Sequence, residues 1–347
     1  MSNHPIRIAV DAMGGDYAPQ EIVSGTLAGA REYGVEVLLV GRPDAIENEL
    51  KKHDTQGVAY RVVPASEVIE MGESPATGLR KKKDSSIIIT AKCVKNGDAQ
   101  GMVAAGSTGA AMGAATLYVG RIEGVDRPAI GVLLPSSSVP CLLIDAGANA
   151  DCTPDMLVQF AVMGNVYMAN VHNVAKPRIG LLNIGEEDGK GNTFAHSAFE
   201  LLGKDPRFAF VGNVEGRDLF NGGSDVAVTD GFTGNVALKS AEGVMKMFSG
   251  VLKREIKRSV LSMAGGALMK SAFDATKKMV DPEEVGGSLL FGIKGVCVIS
   301  HGGSHALGIK NAIRVAKEAI MADVLGKISN QIREGIEINE RTTSELR

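Results

Sequence analysis

Ten short apolar or β-branched runs recur along the chain, at residues 6–10, 36–40, 60–63, 101–104, 130–134, 141–144, 178–183, 208–212, 225–228 and 296–300. Longer stretches with helical spacing separate most of them. Several of the runs, such as Cys141, Leu142, Leu143 and Ile144, are apolar at consecutive positions. A strand of that kind has apolar side chains on both faces, so both faces need a cover. Strands alternating with helices then predict an α/β protein: a three-layer α/β/α sandwich around a mostly parallel sheet. Helix starts are recognisable too. Pro19 opens a stretch with Ile22, Val23, Leu27 and Ala30 on one side. Thr153, Pro154 and Asp155 supply an N-cap, a proline at the first helical position and an acid in the first turn. With 347 residues the chain can bury a core without staples. A hydrophobic fraction of 44% and a net charge of -3 oppose disorder and whole-surface nucleic-acid binding.

Two regions interrupt the alternation. Residues 245–285 read as a protruding helical hairpin, with Phe248, Leu252, Ile256 and Val260 as an apolar stripe. Lys253, Arg254, Lys257 and Arg258 lie to its other side. Gly265 and Gly266 are expected to break the hairpin, and Leu268 and Met269 to begin its second helix. The charged segment 327–347 is expected to be a frayed helix or disordered, leaving 1–326 as a single catalytic domain. The four cysteines, Cys93, Cys141, Cys152 and Cys297, form no CxxC pair and no zinc spacing, so neither a metal nor a cofactor is expected. No signal peptide and no apolar run of about 18 residues is present, which predicts a cytoplasmic protein. Tryptophan is absent, against base stacking on nucleic acid.

In open α/β sheets, ligands bind beyond the carboxyl ends of the strands. Six loops there are rich in Gly, Asn, Asp and Lys. DAMGGDYAP (11–19) brings Asp11, Gly14, Gly15 and Asp16. AAGSTGA (104–110) offers Gly106, Ser107, Thr108 and Gly109 at a helix start, where free N–H groups can cradle an anion. IDAGANADC (144–152) carries Asp145 and Asn149. LNIGEEDGKGN (182–192) carries Asn183 and then Lys190 between glycines; its three consecutive acids cannot face one point and read as a solvated cluster. TDGFTGNVALK (229–239) places Asn235 and Lys239 four apart, near Asp230. SHGGSHALGIKNA (300–312) begins with His301. Each loop alone also reads as a turn or an N-cap. Together they predict one polar, glycine-lined cleft suited to a phosphate-like anion.

At these residues the chain resembles the phosphate acyltransferases of bacterial phospholipid synthesis. The matching blocks are DAMGGD–AP, AAG–TGA, RPAIGVLLP, GANADC, VQFAVMGN, PRIGLLNIGEE–GKGN, VGNVEGRDL, DGFTGNVALK and SHGGS, in order from residue 11 to about 313. One departure is Ser107, where the family usually carries Asn. The resemblance implies an isocitrate/isopropylmalate dehydrogenase-like fold and a homodimer. It also implies transfer of a fatty acyl group from acyl carrier protein to inorganic phosphate, and peripheral contact with the membrane. A membrane glycerol-3-phosphate acyltransferase would then use the acyl phosphate.

For that reaction the phosphate ligands expected are Lys190, Lys239, Gly14, Gly106, Gly109 and the Ser107–Thr108 backbone. Asn149, Asn183, Asn235 and His301 are candidate donors to the oxyanion or phosphoryl group, with Asp145 and Asp230 orienting them. Cys152 is a weaker candidate for an acyl-enzyme. The basic residues Lys253, Arg254, Lys257 and Arg258 are expected to meet the acidic carrier, and the tip residues Leu261, Met263, Leu268 and Met269 a membrane. The rival readings are a phosphotransacetylase acting on short acyl-CoA, a β-decarboxylating dehydrogenase, and a scaffold that recruits carrier protein.

Overall fold

The computed structural model describes residues 5–136 and 139–345. Its strands are β1 (Arg7–Asp11), β2 (Glu36–Gly41), β3 (Tyr60–Pro64), β4 (Gly101–Ala104), β5 (Ala129–Leu134), β6 (Cys141–Ile144), β7 (Arg178–Leu182), β8 (Ala209–Val214), β9 (Val226–Val228), β10 (Ser288–Phe291) and β11 (Val296–Ile299). They form one sheet in the order β3-β2-β1-β4-β11-β10-β5-β6-β9-β7-β8. All ten expected runs are strands of this sheet. The eleventh, β10, was not expected: it is four residues long and follows a run of helices.

Alternate residues serve opposite faces. Ile8, Val10, Val103, Leu142, Ile144, Val226 and Val228 belong to one core, while Ala9, Met102, Ala104, Leu143, Ala227, Cys297 and Ile299 belong to the other. Consecutive apolar residues therefore fill two layers, as a sheet covered on both faces requires.

Direction changes in the middle of the sheet. β11 pairs antiparallel with β10, β10 with β5, and β5 with β6. Three reversals leave β6 running opposite to β11. β1, β2, β3 and β4 share the direction of β11. β7, β8 and β9 share the direction of β6. The carboxyl ends of the two halves thus lie at opposite edges.

Two helical segments depart from expectation. The arm starts earlier than residue 245, as one helix from Gly231 to Ile256, followed by Val260–Leu268 and Lys270–Val280. Gly265 and Gly266 lie inside the second of these. The chain breaks instead at residues 257–259, where Ser259 Oγ accepts from the Ser262 N–H at 3.0 Å. Gly266 serves close packing, since a Cβ there would come within 2.8 Å of Ile256 Cγ2. Of the two forms expected for the tail the helix is present, as Val324–Glu345, but it packs on the core and a boundary at 326 falls inside it. Ile328 and Ile332, one turn apart, are buried in the core. Lys327 Nζ donates to Asn170 Oδ1 at 2.6 Å, and Arg207 Nη1 to the Gln331 carbonyl at 2.8 Å. Residues 346 and 347 of that tail lie outside the described residues.

Candidate functional site

The six loops do not form one cleft within a chain. Those after β1, β4 and β11 gather at one edge of the sheet; those after β6, β7 and β9 gather at the other.

At the first edge, Asp11 is buried and its Oδ1 accepts from the Met13 N–H at 3.2 Å. Burial raises its carboxyl above the ordinary value, opposed by bonds from Ser86, Met13 and Gly14. A Cβ on Gly14 would come within 2.7 Å of Asp11 Oδ2 and 3.0 Å of the Gly106 nitrogen, so glycine is what lets the β1 and β4 loops touch. The β11 loop joins them where the Asp16 N–H donates to the Gly302 carbonyl at 2.9 Å. Tyr17 and His305 stack at 4.5 Å between ring centres. His301 is exposed, and its Nδ1 accepts from the Gly303 N–H at 3.1 Å, which puts the proton of the neutral ring on Nε2.

Both helix starts at this edge, including the expected anion cradle at 104–110, are partly taken. Ser107 Oγ accepts from the Ala110 N–H at 3.4 Å, so this side chain caps the helix Thr108–Ala114; Thr108 and Gly109 remain exposed. The helix that follows the β11 loop starts on carboxylates of the chain itself. Glu21 accepts from the Ala306 N–H at 2.7 Å and Glu283 from the His305 N–H at 3.0 Å.

At the opposite edge, Asp145 is fully buried after β6 and organises the turn. Its Oδ1 accepts from the N–H groups of Ile130, Gly147 and Ala148, and its Oδ2 from the Asn149 N–H and Nδ2, all at 2.8–3.1 Å. Burial raises this carboxyl, and those donors oppose the rise. Asn149 Nδ2 also donates to the Pro128 carbonyl at 2.8 Å. Both of its N–H groups therefore hold the fold, not an oxyanion. The long helix starts directly against this turn. The Gly231 N–H donates to the Asn149 carbonyl at 2.7 Å, and a Cβ on Gly234 would overlap the Asp145 carbonyl. Asp230 is the N-cap, accepting from the N–H and hydroxyl of Thr233 at 2.8 Å. Asn235 lies over Gly147. Lys239, one turn on, pairs with Glu242 at 2.7 Å on the exposed surface.

Lys190 sits on a pinned loop. Asn183 Nδ2 donates to the Lys190 carbonyl and to Asn213 Oδ1, both at 3.0 Å, and Asn213 Nδ2 donates to the Glu187 carbonyl at 2.9 Å. Sequence reading found Asn183 but missed the buried Asn213, which lies in β8 within the block VGNVEGRDL, from which no candidate site residue was drawn. The Lys190 ammonium is half exposed and 3.9 Å from Glu187 Oε2. Glu186 pairs with Arg217 at 2.8 Å. Nearby, a cavity of about 370 Å³ opens between the starts of two helices. Its lining includes Asp155 and Glu200, whose charge opposes phosphate. None of the four thiols has the lowered pKa of an activated nucleophile. Burial pushes Cys152 and Cys141 up to about 11 and Cys297 to about 12, and raises Cys93.

The model of a family described as fatty acid synthesis protein matches residues 6–327. The phosphate acyltransferase of Heliobacterium modesticaldum is 49% identical over 94% of this chain and 98% of its own. That of Dictyoglomus turgidum is 47% identical over 93% and 96%. This chain belongs to the phosphate acyltransferase family. Solved structures similar to this member of the family share its fold. A phosphotransacetylase from Streptococcus pyogenes superposes with a TM-score of 0.63 at 19% identity, covering 91% of this chain and 94% of its own. A 4-hydroxythreonine-4-phosphate dehydrogenase from Klebsiella pneumoniae reaches 0.52 at 10% identity, covering 90% and 99%.

Proposed function

We propose that the protein transfers a fatty acyl group from the thioester of acyl carrier protein to inorganic phosphate. The observation that carries this reading is the 47–49% identity, over more than nine-tenths of the chain, to proteins named phosphate acyltransferase. A phosphate oxygen attacks the carbonyl carbon. The new C–O bond forms as the C–S bond breaks, and sulfur leaves as a thiolate that takes a proton from solvent. A thiol of pKa about 8.5 departs readily. The demand on the protein is to hold an anion against a carbonyl and to stabilise the oxyanion, where one donor is worth roughly 3 kcal/mol. Lys190 on its pinned loop suits the phosphate, and Asn235, which lies over Gly147 at the same edge, is a further donor. Gly106, the Thr108 and Gly109 backbone and His301 suit the carbonyl end. Asp145, Asn149, Asn183 and Asp230 act by positioning. The neutral, protonated Cys152 speaks for direct attack by phosphate over an acyl-enzyme.

The protein works as a homodimer in this reading, and its helical arm supports that. Phe232, Val236, Val244, Met247, Phe248 and Val251 are exposed and fall within one half of the helix circumference. The arm's tip carries Leu261 and Leu268, both more than four-fifths exposed, with Met263 and Met269. Lys253, Arg254, Lys257 and Arg258 are exposed behind it. That combination suits an anionic membrane face and an acidic carrier. A cytoplasmic enzyme that visits the membrane would deliver acyl phosphate to a membrane glycerol-3-phosphate acyltransferase. The second reading, a phosphotransacetylase acting on short acyl-CoA, is favoured only by the shared fold.

The test is incubation with palmitoyl–acyl carrier protein, with and without inorganic phosphate, following free carrier thiol. Phosphate-dependent release is expected, with acyl phosphate trapped by hydroxylamine. Turnover of acetyl-CoA with no release from the carrier would move the protein to the second reading.

A further inference from the structure

Residues 80–95 hold six basic side chains and one acid, Asp84. Arg80 to Lys83 is the longest unbroken basic run in the chain. It spans the end of the helix Pro75–Lys81, and Lys92 and Lys95 lie one turn apart on the next helix, Ser86–Lys95. Tyr118 joins the two helices: its ring centre lies 5.9 Å from Lys83 Nζ and 5.8 Å from Lys92 Nζ. Lys294 enters beside them from the β10–β11 turn. Its N–H donates to the Gly120 carbonyl at 2.8 Å, and a Cβ on the neighbouring Gly295 would run into Val94. Lys82 is taken by Glu73 at 2.6 Å, and Asp84 by the N–H and hydroxyl of Ser66. Among the described residues, Arg80, Lys81, Lys83, Lys92, Lys95 and Lys294 form no ion pair. Like charges gathered without carboxylates repel one another and favour an anionic partner.

The patch is not purely charged. Leu117, next to Tyr118, is 70% exposed. An apolar side chain ringed by cations suits an acidic protein surface better than a small anion. The helix that carries Leu117 and Tyr118 also leads to the carbonyl edge. Thr108–Ala114 continues directly into Ala115–Val119, so Tyr118 stands about 15 Å along the axis from Thr108. Thr108, Met112 and Thr116, four apart and at least partly exposed, form one strip that ends beside Leu117. None of the four is charged, and the Thr116 hydroxyl is turned in to the Met112 carbonyl at 2.7 Å. An uncharged strip thus runs from the basic face to the loops that hold Ser107 and His301. The arm is another basic surface, but there Glu255 lies 3.5 and 3.2 Å from Arg254 and Arg258, so part of its charge is answered within the chain.

We propose that the acidic acyl carrier protein docks on the Lys83–Lys92–Lys95 face around Leu117 and extends its thioester along the Thr108–Leu117 strip to the edge that holds His301. The proposal rests on the acyl-transfer reading above. No bond is made or broken at this face. It steers the carrier and sets its affinity, so its charges act on the carrier's KM and on salt dependence, not on phosphate.

Lys92→Glu, Lys95→Glu and Lys294→Glu would be combined in one variant, and an unchanged urea midpoint would show its fold intact. With palmitoyl–acyl carrier protein at low salt, kcat/KM is expected to fall on the order of a hundredfold, and the gap to wild type to narrow as salt is raised. The half-saturating phosphate concentration is expected to stay that of wild type. A milder pair, Lys92→Gln with Lys95→Gln, should show the same pattern at roughly tenfold. Fluorescence anisotropy of labelled carrier protein reads docking without turnover and is expected to show the same weakening. An unchanged carrier KM and anisotropy curve would overturn the proposal. So would an equal or larger loss of carrier binding on reversing Lys253, Arg254, Lys257 and Arg258 of the arm to Glu. Loss of cosedimentation with anionic vesicles, with carrier binding intact, would make this a membrane face and overturn the proposal too. If wild type releases no thiol from the carrier, the acyl-transfer reading fails, and the anisotropy curve still decides whether the carrier docks here.

Discussion

Arg178 and Asp225 fasten the starts of β7 and β9, and their pairing makes a testable contribution to stability. Asp225 is buried; it accepts from the Arg178 N–H at 2.8 Å, from Nε at 3.1 Å and from Nη2 at 2.9 Å. Burial alone would raise this carboxyl, but the three donors and the guanidinium charge hold it below its ordinary value. A lowered folded-state pKa means the stabilisation is complete above the unfolded value of about 3.9 and is lost as pH falls through the folded value. Asp225→Asn is therefore expected to cost roughly 2 kcal/mol at neutral pH, reduced from a fully buried pair because Arg178 is partly solvated. Urea unfolding along an acid series would check it. The gap between wild type and variant should narrow below about pH 4; a gap of constant size would rule out the charge pair as its source. At this scale the sequence named polar residues well and their partners poorly. Asp145, Asn149 and Asn183 were legible as unusual. Their commitment to Ile130, Pro128 and Asn213 was not, because those partners lie at sequence distances of 15, 21 and 30 residues.

Among the elements, the helical arm exposes the most apolar surface. Val260, Leu261 and Leu268 are 79%, 84% and 87% exposed, on short helices with no buried side chain in Val260–Leu268. Arg254 and Arg258 both lie near Glu255, at 3.5 and 3.2 Å, so part of the local positive charge is answered by the chain itself. Leu268→Glu adds a charge where the membrane reading needs an apolar contact. It is expected to lower cosedimentation with anionic vesicles roughly tenfold while leaving phosphate-dependent turnover in solution intact. Equal cosedimentation of wild type and variant would sink the membrane contact. The apolar stripe of the arm was readable from its helical period. Its break is not at the glycine pair: glycine serves turns and close packing alike, and Gly266 serves a close helix approach against Ile256. β10 escaped notice for a related reason: four residues carry too little pattern to stand out from flanking helices.

For the whole molecule, the carboxyl-terminal helix shows how far the core extends beyond the recognisable motifs. Ile328 and Ile332 are 2% and 4% exposed, and each buried side chain of this kind is worth about 1.5–3 kcal/mol. A chain ending at residue 326 is expected to lose roughly 4 kcal/mol of stability, read as a lowered urea midpoint. An unchanged midpoint would mean the helix adds nothing to the core. The larger lesson concerns direction. Consecutive apolar residues in the candidate strands determined, by themselves, that both faces of the sheet are covered, because side-chain alternation along a strand is a local property. The polar, glycine-rich character of the loops was equally local. Part of the reversal was also legible: six residues between β5 and β6 are too few for a parallel crossover, which needs about a dozen. Only the tertiary structure decided that β10 slots between β11 and β5 and so sends the two halves of the sheet in opposite directions. That choice depends on pairing between strands more than 150 residues apart, and no spacing within either segment encodes it. It is what places Lys190 and His301 at opposite edges of one chain.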